Sequence, residues 1–89
     1  MKDYTAHDNA IYLLRIMREV NLRAKETGDT SRAIDTWLIL RARYNYHILN
    51  HPDFQGLEQD EKLYNKIAHI DECWNNPRRY NELLVVEDL

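Results

Sequence analysis

Apolar residues recur along most of the chain at intervals of three and four, the spacing of one face of an α-helix. The first run follows Thr5 and Asp8, which are spaced as in a capping box, and it ends before Gly28, a residue suited to terminating a helix. Its apolar positions are Ala10, Leu13, Leu14, Met17, Val20 and Ala24. This pattern predicts a helix over residues 6–26.

A second run begins after Asp29, Thr30 and Ser31, whose side chains suit a helix N-cap, and it stops before Pro52. It predicts a helix over residues 31–50. Its apolar side is expected to comprise Ile34, Trp37, Leu38, Tyr44, Ile48 and Leu49.

A third run carries acidic residues in its first turn, including Glu58 and Glu61, where the helix dipole favours negative charge. It predicts a helix over residues 57–75, followed by a C-terminal segment, 77–89, that begins at a proline. The apolar stripe of this third helix is Leu63, Ile67, Ile70 and Trp74.

Short connections between these runs favour antiparallel neighbours. Residues 1–89 are therefore predicted to form one all-α domain, an antiparallel helical hairpin with a third helix and a short C-terminal segment packed on it. Several apolar residues lie off the stripes of the first and third helices. They are Ile11, Leu22, Tyr64 and Ala68. Because so short a chain buries only about 60–65% of its unfolded surface, this surplus predicts a homo-oligomer.

Composition and charge narrow the classes of function. The chain is 44% hydrophobic and 30% charged, with two glycines and two prolines, as in a folded protein. Its net charge of −3 argues against general duplex DNA binding. The charge is uneven, because residues 1–50 carry eight lysines and arginines against six carboxylates, and residues 51–89 carry four against nine. The basic first half suits a small anionic ligand or an acidic partner surface.

The length of the apolar runs and the number of cysteines also indicate in which cellular compartment the protein is expected. No run approaches the ~20 apolar residues of a membrane span, and no apolar signal-peptide region is visible. A single cysteine cannot form an internal disulfide. We therefore expect a cytoplasmic protein that binds no membrane.

Arg41 lies near the centre of the apolar arc expected for the second helix. A buried arginine requires a counter-charge. Two interpretations stay open, an ion pair with an acid such as Glu19 or Asp71, and a guanidinium presented to a phosphate across an interface.

Aromatic residues on the predicted helices have arginines nearby, and aromatic rings with cations are how proteins hold free nucleotides. Trp74 could serve as a stacking platform, with Arg78 and Arg79 as further phosphate contacts. Most of the other rings are expected to pack in the core or at an interface.

Motifs for metal binding and catalysis are sparse. His47 and His51 are four residues apart, as are His69 and Cys73, a spacing that places two ligands on one helix face. Neither pair has a third donor fixed by the sequence, so we expect no metal and no other cofactor. A thiol–base pair at Cys73 lacks a positioned third group or oxyanion loop, and there is no phosphate-binding loop. We therefore expect a protein that is not an enzyme.

The order of Tyr12 in the first helix, Lys25, a Thr-Gly-Asp-Thr turn at 27–30 and a long second helix resembles the small phage-encoded anti-CBASS cyclic-oligonucleotide sponges. The resemblance covers roughly residues 8–50. Such proteins form homohexamers of helical-hairpin chains. They sequester the cyclic di- and trinucleotide signals of the CBASS defence system without cleaving them.

The resemblance implies a role for individual residues. Tyr12 would be the base-stacking ring and Lys25 the phosphate-contacting amine. Gly28 and Thr30 would line a turn that holds a second ligand. The expected function is thus sequestration of cyclic di- or trinucleotides by a hexamer in the host cytoplasm.

Two alternatives come from other classes. A small helical protein-interaction module could dock on a host protein through the surplus apolar surface. A small metal-dependent helical enzyme would instead bind zinc.

Overall fold

The computed structural model describes residues 4–84, a range that contains helices and short connections but no strand. The all-α class predicted from the sequence is confirmed. The α-helices are α1 (Ala6–Thr27), α2 (Ser31–Tyr44), α3 (Phe54–Gln59), α4 (Glu61–Trp74) and α5 (Tyr80–Leu83). A π-helical segment, Asn45–Leu49, extends α2, and a 3-10 turn, Pro77–Arg79, leads into α5.

Helix α1 begins and ends where the sequence predicts, because both caps form. The Asp8 amide donates to the Thr5 hydroxyl at 3.0 Å, and the Thr5 amide donates to the Asp8 carboxylate at 3.2 Å. At the other end Gly28 adopts a φ of 72°, and its amide donates to the Ala24 carbonyl at 2.9 Å. A residue with a Cβ pays a steric cost in this left-handed conformation, so glycine terminates the helix here.

Helices α1 and α2 form the predicted antiparallel hairpin. A three-residue connection, 28–30, joins them. Trp37 lies opposite Asn21, and Arg43 lies opposite Tyr12. Residues near the start of α1 therefore contact residues near the end of α2, as antiparallel packing requires.

The buried face of α2 differs from the predicted one. Leu38 and Leu49, both placed in the core by the sequence, are 48% and 44% exposed. The buried positions are Ala33, Trp37, Leu40, Tyr44 and Ile48. These residues follow a continuous spacing of three and four, whereas Leu38 lies about 100° around the helix from Trp37. The apolar residues of α2 are numerous enough to allow either face, and packing against α1 selects this one.

The third predicted helix is two helices, because Asp60 interrupts it with an extended ψ of 85°. Its carboxylate accepts the Leu63 amide at 3.3 Å and so caps α4. The same carboxylate meets His7 of α1 at 2.9 Å, and the pKa of Asp60 is lowered, chiefly by the hydrogen bond with His7. An aspartate side chain that competes for backbone donors favours a helix start over a helix interior.

The rest of α4 agrees with the sequence. Its predicted stripe of Leu63, Ile67, Ile70 and Trp74 is buried. After α4 the chain reverses at Asn76, whose side chain accepts the Arg78 amide at 3.2 Å. Helix α5 then packs back on α4, with Leu83 buried. The part of the predicted C-terminal segment at 85–89 lies outside the described residues.

The apolar surplus expected on α1 and α4 is partly absorbed by packing. Ile11 lies against the core, and Tyr64 meets Phe54 edge to face at 6.3 Å. Leu22 remains largely exposed. Within residues 4–84, no helix combines the length and apolar character required to cross a membrane.

Asn21 connects three helices from the middle of the core. It is 2% exposed and is the buried polar residue of the described chain. Its Nδ2 donates to the Leu83 carbonyl of α5 at 2.6 Å, and its Oδ1 accepts the Trp37 indole N–H of α2 at 3.3 Å. Because buried polar groups are costly when unpaired, these bonds fix how α1 faces both neighbours.

We expect Asn21→Leu to destabilise the fold by about 2–4 kcal/mol, because it leaves the Trp37 indole and the Leu83 carbonyl without their partner. Denaturant unfolding followed by circular dichroism measures the change. Asn65→Ala, on the exposed side of α4, is the matched control and is expected to stay within about 0.5 kcal/mol of wild type. A similarly small effect of Asn21→Leu would contradict the connecting role of this residue.

Candidate functional site

A surface groove of about 610 Å³ lies between the first half of α1 and the end of α2. Its volume falls within the usual range for small-molecule sites. The lining residues are Tyr4, Asp8, Asn9, Ile11, Tyr12, Arg15 and Arg43. We call this the hairpin groove.

Tyr12 is the aromatic centre of the hairpin groove. It is 53% exposed, and the Arg43 guanidinium carbon lies 5.7 Å from the centroid of its ring. This is a cation–π distance, and it joins the second turn of α1 to the last turn of α2. The sequence singled out Tyr12, but Arg43 is recognised only once the hairpin register is known.

The hairpin groove carries more positive than negative charge. Arg15 and Arg43 both line it, and neither forms an ion pair with another residue in 4–84. Asp8 is the carboxylate in the lining, and it already accepts the Thr5 amide of the α1 cap. The groove therefore offers two guanidinium groups to an anion beside an exposed ring.

The other residues implied by the family resemblance lie at the opposite end of the hairpin. Lys25, Gly28 and Thr30 are exposed there. Thirteen residues of helix, about 20 Å along its axis, separate Lys25 from Tyr12. A single chain therefore does not bring these two residues to one small ligand.

The turn itself adjoins a second groove, of about 300 Å³, to which Arg23 and Arg32 contribute. Asp29 accepts the Ser31 hydroxyl at 2.6 Å and the Ser31 amide at 3.0 Å, which lowers the pKa of Asp29. The Gly28 amide is used by the α1 cap, whereas the Thr30 side chain makes no cap hydrogen bond. Of the donors expected here, the Thr30 hydroxyl is thus the one available to a ligand.

Arg41 has a partner that the sequence did not indicate. Its Nη2 donates to the Asn75 side-chain oxygen at 2.7 Å, so it holds the end of α4 against α2. Neither Glu19 nor Asp71 is its counter-charge within residues 4–84. Because the buried face of α2 passes through Leu40, Arg41 lies at the flank of that face, half-buried, where a neutral partner suffices.

Trp74 is buried in the core. Its ring meets Tyr44 edge to face at 5.8 Å, and its indole N–H has no hydrogen-bond partner in residues 4–84. The same packing raises the pKa of Tyr44 to about 12, chiefly through burial. Trp74 therefore offers no ring face to a ligand and lies outside the candidate site. Arg78 is exposed.

A second group of chemistry-bearing side chains lies between α4 and α5. His69 Nε2 is 3.7 Å from Cys73 Sγ and 3.8 Å from a Glu82 carboxylate oxygen. The three potential ligand atoms all lie within 4.8 Å of one another. The sequence identified His69 and Cys73 as a pair, but Glu82 joins them only because the chain reverses at Asn76. We call these three residues the α4–α5 cluster.

Arg79 fixes the carboxylate of the α4–α5 cluster. Its Nε and Nη2 donate to the two oxygens of Glu82 at 2.6 and 3.2 Å, and its Nη1 approaches Glu72 at 3.4 Å. The Arg79 hydrogen bond lowers the pKa of Glu82 and raises that of Arg79 in turn. Arg79, which the sequence offered as a phosphate contact, is thus occupied by two carboxylates.

Cys73 is unsuited to nucleophilic catalysis in this arrangement. Burial raises the pKa of its thiol, as do Glu82 and Glu72, while Arg79 acts in the opposite direction. His69 faces both the thiol and the carboxylate through the same nitrogen, Nε2. A nucleophile–base–carboxylate triad uses the two ring nitrogens separately. The three potential ligand atoms are instead close enough together that they could hold a metal ion.

No protein-family model matches this chain, and neither does a curated protein or a solved structure. Function is therefore inferred from side-chain geometry and from the resemblance of residues 8–50 to the sponge family. The hairpin groove and the α4–α5 cluster supply that geometry.

We expect Glu82 to contribute to the loss of stability in acid. Its pKa in the folded state lies below the usual 4.5, so its contribution is present above that value and is lost as the pH falls through the lower folded-state pKa. The stability difference between wild type and Glu82→Gln should therefore be largest near neutral pH and shrink on acidification. Denaturant unfolding across this pH range measures it. Glu58→Gln, at an exposed position of α3, serves as control, and a pH-independent difference for Glu82→Gln would contradict the pairing.

Proposed function

We propose that this protein is a non-enzymatic binding protein that sequesters cyclic di- or trinucleotides in the host cytoplasm and so blocks CBASS anti-phage immunity. The observation that carries the proposal is the hairpin groove, in which the exposed Tyr12 ring, Arg43 and Arg15 lie together. The resemblance of residues 8–50 to the sponge family supplies the class of ligand.

The chemistry of the hairpin groove suits a nucleotide. Stacking of a base on an aromatic side chain contributes about 1–3 kcal/mol, and it requires an exposed ring such as Tyr12. Guanidinium groups bind phosphate oxygens through paired hydrogen bonds, and Arg15 and Arg43 have no competing carboxylate pair within residues 4–84. Binding of this kind removes the signal without any bond cleavage.

The proposal requires more than one copy of the chain. Because Lys25 lies about 20 Å along α1 from Tyr12, its amine reaches a ligand stacked on Tyr12 only from a second copy. A two-fold interface would supply paired rings and paired cations to a ligand that carries two bases and two phosphates. The hexamer expected from the resemblance would contain several such interfaces.

We expect the wild-type chain to bind a cyclic di- or trinucleotide, and Tyr12→Ala to weaken that binding roughly tenfold or more through loss of stacking. Isothermal titration calorimetry with adenosine- and guanosine-containing cyclic di- and trinucleotides measures the affinity. Tyr12→Phe is the matched control, since it keeps the aromatic ring in the groove lining and should therefore keep the stacking contribution. Arg43→Gln should also weaken binding, whereas Lys62→Gln, which removes an equal charge on α4, should not.

Two outcomes would refute this proposal. One is the absence of any heat or melting-temperature shift with all the cyclic nucleotides. The other is an equal loss of affinity in Tyr12→Ala and Tyr12→Phe, since loss of the ring would then not be the cause. Chromatography of the nucleotide released from denatured protein completes the test, because a sequestering protein returns the ligand intact.

A specific observation also favours a second candidate, a protein-interaction module. The side of α2 and its π-helical extension facing away from the core exposes four large apolar residues, Leu38, Ile39, Tyr46 and Leu49. Exposed apolar clusters of this kind commonly mark protein contacts. The sponge proposal assigns that surface to another copy of the chain, and the module assigns it to a host protein.

Sedimentation velocity distinguishes these candidates. The sponge proposal predicts an oligomer without ligand, and Ile39→Glu should dissociate it by placing a charge in the interface. Gln55→Glu, at an exposed position of α3, is the control that adds the same charge elsewhere. A wild-type chain that sediments as a monomer at every concentration would contradict the sponge and favour the module.

A further inference from the structure

We propose that the α4–α5 cluster is a Zn²⁺ site in which Cys73 Sγ, His69 Nε2 and a Glu82 carboxylate oxygen bind one ion. This site is independent of the hairpin groove and of the function proposed for it. It lies on different helices and uses a different set of residues.

The distances suit a tetrahedral ion. Zinc bonds of ordinary length at tetrahedral angles separate a nitrogen ligand from a sulfur or oxygen ligand by about 3.5 Å. The corresponding separations here are 3.7 Å between His69 and Cys73 and 3.8 Å between His69 and Glu82. Small side-chain rotations therefore bring the three donors to bonding positions.

The chemical types of the three ligand atoms indicate which metal ion would bind. A thiolate, an imidazole and a carboxylate together form a mixed sulfur, nitrogen and oxygen set, which zinc accepts readily. Calcium and magnesium prefer oxygen ligands alone. His69 and Glu82 side chains are 43% and 38% exposed, so the fourth coordination position faces solvent and is filled by water.

The local charge also suits a divalent cation. With Cys73 as thiolate, the cluster and its neighbour Glu72 carry three negative charges, and Arg79 supplies one positive charge. Two net negative charges remain. Zinc binding displaces the thiol proton, which burial otherwise retains on Cys73.

Arg79 acts as a positioning residue for this site. Its Nε–H donates to the Glu82 oxygen at 2.6 Å, which leaves the other oxygen, on the His69 side, to move from Nη2 to the metal. Hydrogen bonds of this kind orient carboxylate ligands in zinc proteins. The bound ion would join α4 to α5 and thereby stabilise the C-terminal turn.

Cobalt(II) is the spectroscopic probe for zinc at this site. We expect the wild-type chain to bind one Co²⁺ with a near-ultraviolet sulfur-to-cobalt charge-transfer band, and Zn²⁺ to displace it. Cys73→Ser should abolish the band, and circular dichroism of that variant checks the fold. His69→Gln and Glu82→Gln, at partly exposed positions, should each weaken affinity about tenfold or more.

His7→Gln is the matched control, because His7 also pairs with a carboxylate, that of Asp60, but has no thiol beside it. It should leave cobalt affinity unchanged. Absence of the charge-transfer band in the wild-type chain would overturn the proposal. So would a band whose strength and affinity survive Glu82→Gln, since the ion would then bind a two-ligand helix pair and not the cluster.

Discussion

The buried side-chain amide of Asn21 sets the relative placement of the helices. Apolar packing is non-directional, so the stripes of α1 and α2 alone permit several rotations of one helix against the other. Asn21 accepts a hydrogen bond from the Trp37 indole and donates one to the Leu83 carbonyl, and these two bonds permit few such rotations. The first bond fixes the register of the hairpin, which places Arg43 over Tyr12. The second fixes α5, and with it Glu82 beside His69.

Sequence patterns predicted the elements whose ends and faces depend on local chemistry. The caps of α1 at Thr5 and Gly28 formed because their hydrogen bonds involve neighbours in the chain. The buried stripe of α4 was also correct. The predicted face of α2 was partly correct, because Trp37, Tyr44 and Ile48 are buried as expected. It was wrong at Leu38, because Leu38 and Leu40 are equally apolar and only contact with α1 distinguishes them. The break at Asp60 was missed because several neighbouring acidic residues, such as Glu58 and Glu61, suit a helix start equally well. The contact that distinguishes Asp60, with His7, is distant in the sequence.

The residues of the candidate sites differ in the same way, because some could be identified from the sequence and others only from tertiary contacts. His69 and Cys73 stood out in the sequence through residue type and spacing, and Tyr12 through the resemblance to the sponge family. Arg43 and Glu82 complete their clusters only through tertiary contacts, across the hairpin and across the turn at Asn76. Exposure likewise depends on packing: Trp74 and Tyr12 both carried a stacking prediction, and the core buries the first while the hairpin edge leaves the second open.

The Asn21–Leu83 hydrogen bond spans 62 residues, whereas Asn21 and Trp37 are 16 apart. Closing the longer loop costs more chain entropy, and a four-residue helix such as α5 has no stability of its own. We therefore expect folding to proceed from the hairpin outward, with α5 docking last. Transient opening follows the reverse order, so amide hydrogens of α5 exchange before those of α1 and α2. A zinc ion at the α4–α5 cluster would therefore hold closed the part of the described fold that we expect to open first.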